Sequence, residues 1–147
     1  ADVDGDGDQD ILLTNGDSMD GHMLKPHHGV AWLERTGEMK FQHHEIDRVP
    51  GAYGIASGDF DSDGDVDLVV VSMTWWNDVP FNSVIWYEQA DGKFSRNNLE
   101  FSTAQHACVE VGDFDSDGDI DFAVGEFEHR PVKSDHLCTL WWNQSQQ

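Results

Sequence analysis

The chain has 147 residues, of which 29 are acidic against 8 lysines and arginines, for a formal net charge of −21 at pH 7. Such a field excludes nucleic acid and anionic membrane surfaces as natural partners and leaves cations, basic proteins and neutral glycans open. No apolar run approaches the ~18 residues of a spanning helix and no signal-peptide pattern opens the chain, so no membrane insertion is expected.

In chain order the first feature is a loop. Asp2-Val3-Asp4-Gly5-Asp6-Gly7-Asp8-Gln9-Asp10 sets a carboxylate on every second residue and runs into the apolar Ile11-Leu12-Leu13. The loop returns as Asp59 to Asp67 before Leu68-Val69-Val70-Val71, and as Asp113 to Asp121 before Phe122-Ala123-Val124. Fifteen of the 29 acidic residues lie in these loops, five in each. That concentration separates the chain from a diffusely acidic, disordered segment. A loop of alternating carboxylates with a glycine after the third describes a wrap around a hard cation.

Each apolar run after a loop reads as a buried strand, and a long polar connection follows it. A third strand is marked by Val30-Ala31-Trp32-Leu33-Glu34, Val84-Ile85-Trp86-Tyr87-Glu88 and Thr139-Leu140-Trp141-Trp142-Asn143, which align without a gap on a central tryptophan. A glycine turn then leads to a fourth strand, Phe41 to Ile46 or Phe94 to Leu99. A run of small residues, Ala52 to Ser57 or Ala104 to Val111, leads back into the next loop.

The loops start 57 and then 54 residues apart, a period near that of four-stranded propeller blades. The expected fold is therefore all-β: four-stranded antiparallel blades of a β-propeller, as one segment over 1–147 with units of approximately 1–50, 51–103 and 104–147. The first unit lacks the strand before its loop and the last lacks a fourth strand after Asn143, which leaves about two and a half blades of an incomplete or assembled propeller. The remaining blades of a longer chain, or further copies of this one, are the expected partners.

The motif Gly-Asp-Phe-Asp-x-Asp-Gly-Asp-x-Asp between two strands, repeated at this period with a tryptophan-bearing third strand, resembles the FG-GAP/VCBS family of β-propeller repeats. The resemblance implies a calcium-binding propeller of the kind found in secreted and cell-surface proteins. In such loops positions 1, 3 and 5 supply side-chain oxygens, position 7 a backbone carbonyl, and glycine at position 6 the sharp turn. That mapping assigns Asp59, Asp61, Asp63, Asp65 and Asp67, with Asp67 at position 9 as the closing carboxylate. It likewise assigns Asp113, Asp115, Asp117, Asp119 and Asp121, and Asp2, Asp4, Asp6, Asp8 and Asp10. Calcium is the expected cofactor, since magnesium prefers a small octahedral shell rich in water.

The long connections gather on the face opposite these loops. They carry His22, His28, Trp75, Trp76, His129 and His136, with His106 opening an inner strand near the same rim. These residues are the candidate ligand face for a glycan or protein, while a histidine in a polar loop is also simply a solvated side chain. The functions left open are an extracellular binding, adhesion or assembly scaffold, the propeller domain of a secreted carbohydrate-active lyase or hydrolase similar to aldos-2-ulose dehydratase, and a structural subunit of a polymer. No nucleophile relay is legible in the spacing, so an enzyme is the less favoured reading. Cys108 and Cys138 fall on the first and third strands of one unit, ~9–10 Å apart and beyond disulfide reach. Asn143-Gln144-Ser145 is an N-glycosylation sequon.

Overall fold

Asp67 to Ser72 is the most deeply buried strand of the protein, and the rest of the fold is arranged on its two sides. The computed structural model describes residues 1–16, 23, 25–74, 79–127 and 137–144, in which every regular element is a β-strand. Sheet one holds β1 (Ile11–Thr14), β2 (Val30–Gly37) and β3 (Lys40–Asp47). Sheet two holds β4 (Ala52–Gly58), β5 (Asp67–Ser72), β6 (Phe81–Ala90) and β7 (Lys93–Ser102). Sheet three holds β8 (His106–Gly112), β9 (Asp121–Glu126) and β10 (Cys138–Trp141).

All pairs are antiparallel and between neighbours in sequence, in the orders β1-β2-β3, β4-β5-β6-β7 and β8-β9-β10. β4 lies beside β8 of sheet three and beside β1 of sheet one. Among the described residues the fold is a partial β-propeller, in which the middle sheet has four strands and each flanking sheet three. Among the described residues there is no helix, and so none long and apolar enough to cross a membrane.

Alternation along β5 explains why its sequence is apolar throughout. Leu68 and Val70 join Val30, Ile85 and Tyr87 in a core toward sheet one, with Leu12, Ile46 and Phe94 packed around it. Val69 and Val71 point the other way and join Phe60, Val84, Val109 and Val124 toward sheet three, with Trp86, Phe122 and Trp141. All four residues of this run are fully buried, and each such side chain contributes about 1.5–3 kcal/mol. The β6–β7 hairpin turns on Asp91 and Gly92, both at positive φ of 52° and 72°, as a two-residue loop matched to the strand twist requires.

The register corrects the alignment of the third strands. Trp32 pairs with Leu12 and Trp86 with Val69, each the second residue after its loop. Trp141 pairs with Phe122, the first residue after its loop, so its equivalents are Tyr87 and Leu33, and Leu140 takes the tryptophan position. One residue of offset sends a side chain to the other face of a sheet. Trp86 therefore looks toward sheet three, whereas Trp141 looks back toward sheet two and stacks on Phe122 at 5.5 Å between ring centroids.

Cys108 in β8 and Cys138 in β10 both stand opposite Gly125 of β9, one on each side, and both thiols are free.

Candidate metal centres

Each acidic loop joins two strands or leads into one, and each is wound on itself by its own carboxylates. In the second loop Asp59 accepts the N–H of Asp63 at 3.1 Å and of Gly64 at 3.1 Å, while Asp61 accepts from Asp63 at 3.2 Å and Asp63 from Asp65 at 2.8 Å. The third loop repeats this with Asp113, Asp115 and Asp117 at 3.0–3.2 Å. In the first, Asp2 accepts from Gly7, Asp4 from Asp6 and Asp6 from Asp8. The tight winding needs left-handed backbone at position 4, which is Gly5, Ser62 or Ser116 with φ of 74°, 64° and 67°.

This winding turns carboxylate oxygens inward to one point. Asp2, Asp4 and Asp6 bring one oxygen each within 4.8 Å of one another, as do Asp59, Asp61 and Asp63, and also Asp113, Asp115 and Asp121. Oxygens that share a calcium ion at 2.3–2.6 Å lie at most ~5 Å apart, so the spacing fits that ion. Asp2 adds an independent sign, since its Oδ1 is buried and has no hydrogen-bond partner. Withdrawal from water and the repulsion of neighbouring carboxylates hold Asp4, Asp61 and Asp115, the position-3 residue of every loop, above the usual aspartate range, against a backbone N–H that pulls each down. The remaining predicted ligands divide. Asp117 stands outside the third cluster and Asp121 within it, while Asp8, Asp65 and Asp119 belong to none.

Position 9 has a second role that the ligand mapping missed. Asp10, Asp67 and Asp121 are all buried, and each spends both oxygens on the protein. Oδ2 accepts the N–H of position 2, from Val3, Phe60 or Phe114 at 2.9–3.2 Å, and Oδ1 accepts the N–H of the residue at the end of the third strand, from Arg35, Gln89 or Asn143 at 2.7–2.8 Å. Asp67 also accepts from the Trp86 indole at 3.2 Å. Burial raises the Asp67 carboxyl, and these three donors oppose that shift without cancelling it.

Residues 2–70, which span the first two loops, match the model of the FG-GAP-like repeat. The chain carries an FG-GAP-like repeat. No curated protein and no solved structure matches the chain. Beyond residue 70 the third loop repeats the hydrogen bonds of the second.

On the rim opposite the acidic loops, His28 and His106 are the two proposed ligand-face residues within the described part; His22, Trp75, Trp76, His129 and His136 lie outside it. Neither is a solvated side chain. His28 is buried beside a cavity of about 160 Å³ that it shares with Asn15, His27, His43 and Glu45. His106 is 2% exposed, pairs with Glu126 where the preceding unit pairs Ala52 with Ser72, and sets its Nε2 3.2 Å from Glu100.

The same Glu100 oxygen accepts the hydroxyls of Ser83 and Ser102. A carboxylate is therefore the hub, so the cluster is not a serine–histidine nucleophile relay, in which the imidazole stands in the middle. Burial would raise the Glu100 carboxyl, but the hydrogen bonds from Ser102, Ser83 and His106 outweigh it and hold the group below its ordinary value of 4.5. A carboxylate depressed in this way stabilises the fold fully above its unfolded value and loses that contribution as pH falls through the folded one. In chelator, the acid limb of a pH–stability profile should therefore flatten in Glu100→Gln. Parallel acid limbs in the two proteins would rule this assignment out.

Proposed function

We propose that the chain is a calcium-stabilised segment of an extracellular β-propeller that serves as a binding, adhesion or assembly scaffold. The observation that carries the reading is one carboxylate cluster at the same place in each of three successive units. A feature repeated in every unit suits a structural role, because it supplies the same turn before the same strand each time. When bound, the ion supplies positive charge at the point where the carboxylates converge. Asp59, Asp61 and Asp63 would hold it in the second loop, Asp2, Asp4 and Asp6 in the first, and Asp113, Asp115 and Asp121 in the third. Loops this exposed suit the calcium concentrations outside cells, where modules bind at ~10⁻⁴–10⁻³ M.

The ligand of such a scaffold, a glycan or a protein, is placed by this reading on the rim opposite the calcium loops, where the long connections lie. Calorimetric titration of the chelated chain with calcium should give heat from three sites. An absence of heat at millimolar calcium would end the proposal.

A further inference from the structure

Position 2 of each loop holds an apolar residue between the carboxylates of positions 1 and 3, namely Val3, Phe60 and Phe114. In the first two loops that residue is held from both sides. Its N–H donates to the position-9 aspartate of its own loop, Val3 to Asp10 at 2.9 Å and Phe60 to Asp67 at 3.2 Å. Its carbonyl accepts a side-chain amide from the following unit: Gln89 Nε2 donates to Val3 at 3.0 Å and Asn143 Nδ2 to Phe60 at 2.6 Å.

Gln89 and Asn143 are equivalent residues, since the backbone N–H of each also donates to Oδ1 of the position-9 aspartate 22 residues before it. The apolar side chains follow the same division. Val3 and Phe60 are buried, and Phe60 meets Phe122 of sheet three edge to face at 6.0 Å. Phe114 is 46% exposed, and among the described residues no amide donates to its carbonyl.

We propose that Gln89 and Asn143 are positioning residues that couple the ion affinity of loops 2–10 and 59–67 to the docking of the next unit. The inference rests on the calcium reading above. The two peptide groups around position 2 link the carboxylate of position 1 to that of position 3. With the N–H of one and the carbonyl of the other pinned, the two ligands are set relative to each other before an ion arrives. Less ordering is then lost on binding, which is how preorganisation raises affinity. A neutral hydrogen bond of this kind changes affinity about threefold to tenfold.

The glycine at position 6 of each loop gives a site-by-site readout. The N–H groups of Gly7, Gly64 and Gly118 each donate to the position-1 aspartate of their own loop. A heteronuclear NMR titration of the whole chain with calcium then follows each site through its own glycine. Asn143→Ala should shift the Gly64 midpoint about threefold to tenfold higher and leave Gly7 in place, and Gln89→Ala should do the same at Gly7 and leave Gly64 and Gly118 in place. Asn143→Gln, which installs the side chain that already serves at Gln89, should restore the Gly64 midpoint.

A uniform shift at all three glycines, or none in either alanine variant while calcium still binds, overturns the coupling. A chain whose glycines ignore calcium altogether removes the calcium reading itself, and the coupling with it.

Discussion

Chelation of calcium should lower the melting temperature of the chain by roughly 10 °C, and added calcium should restore it. At free calcium ten times the dissociation constant each site contributes about 1.4 kcal/mol, so three contribute about 4 kcal/mol. For a chain of this size 1 kcal/mol moves the midpoint by about 2–4 °C. The direction follows from the loops themselves. Each packs five carboxylates into nine residues, and the position-3 aspartate of every loop is already displaced upward by withdrawal from water and by its neighbours. Magnesium at the same concentration should restore less, because it demands a near-ideal octahedral shell and gives up its waters reluctantly. Differential scanning calorimetry in chelator and in calcium decides it, and coincident melting curves would show that no ion stabilises this fold.

Asp67→Ala should cost about 3–5 kcal/mol, and it should do so in chelator as well as in calcium. The carboxylate is fully buried and accepts from the N–H of Phe60, the N–H of Gln89 and the Trp86 indole. Its removal leaves three donors without an acceptor inside the protein, at about 1–3 kcal/mol each before relaxation. Asp61→Asn is the contrast. Asp61 is a predicted ligand held only by the N–H of Asp63 at 3.2 Å, and its neighbours repel its charge. In chelator Asp61→Asn should therefore be neutral or slightly stabilising, and should become destabilising only when calcium is present. Urea unfolding of both variants in both conditions separates the roles. Equal losses for the two in chelator would mean that position 9 is no more structural than position 3.

The repeat and its strands were legible because they depend on short-range pattern. An alternating acidic loop before an apolar run needs no tertiary information, and the apolar surplus of Leu68 to Val71 announces a strand covered on both faces. The third-strand alignment failed where residue identity was used as the ruler. Trp141 looks equivalent to Trp86, but the true ruler is the backbone bond from Asn143 to Asp121. Gln89 and Asn143 did leave a trace, as two amides at the same offset of 22 residues from a position-9 aspartate. Their side-chain partners lie 86 and 83 residues away, a separation no local pattern encodes. The burial of His106 was hidden for a related reason, since Glu100, Ser83 and Ser102 come to it from the preceding sheet.

Asn143 is also the first residue of the Asn143-Gln144-Ser145 sequon, and its two uses compete for one nitrogen. Nδ2 has two hydrogens, directed at the carbonyls of Phe60 at 2.6 Å and Ile120 at 3.3 Å. Attachment of a sugar replaces one of them and sets a bulky hydrophilic group against Phe60, Trp86 and Trp141, which line the cavity beside Asn143. Glycosylation acts on chain that has not yet packed, so a secretory pathway that modified this asparagine would fix the state of the seam between sheets two and three before the sheets met.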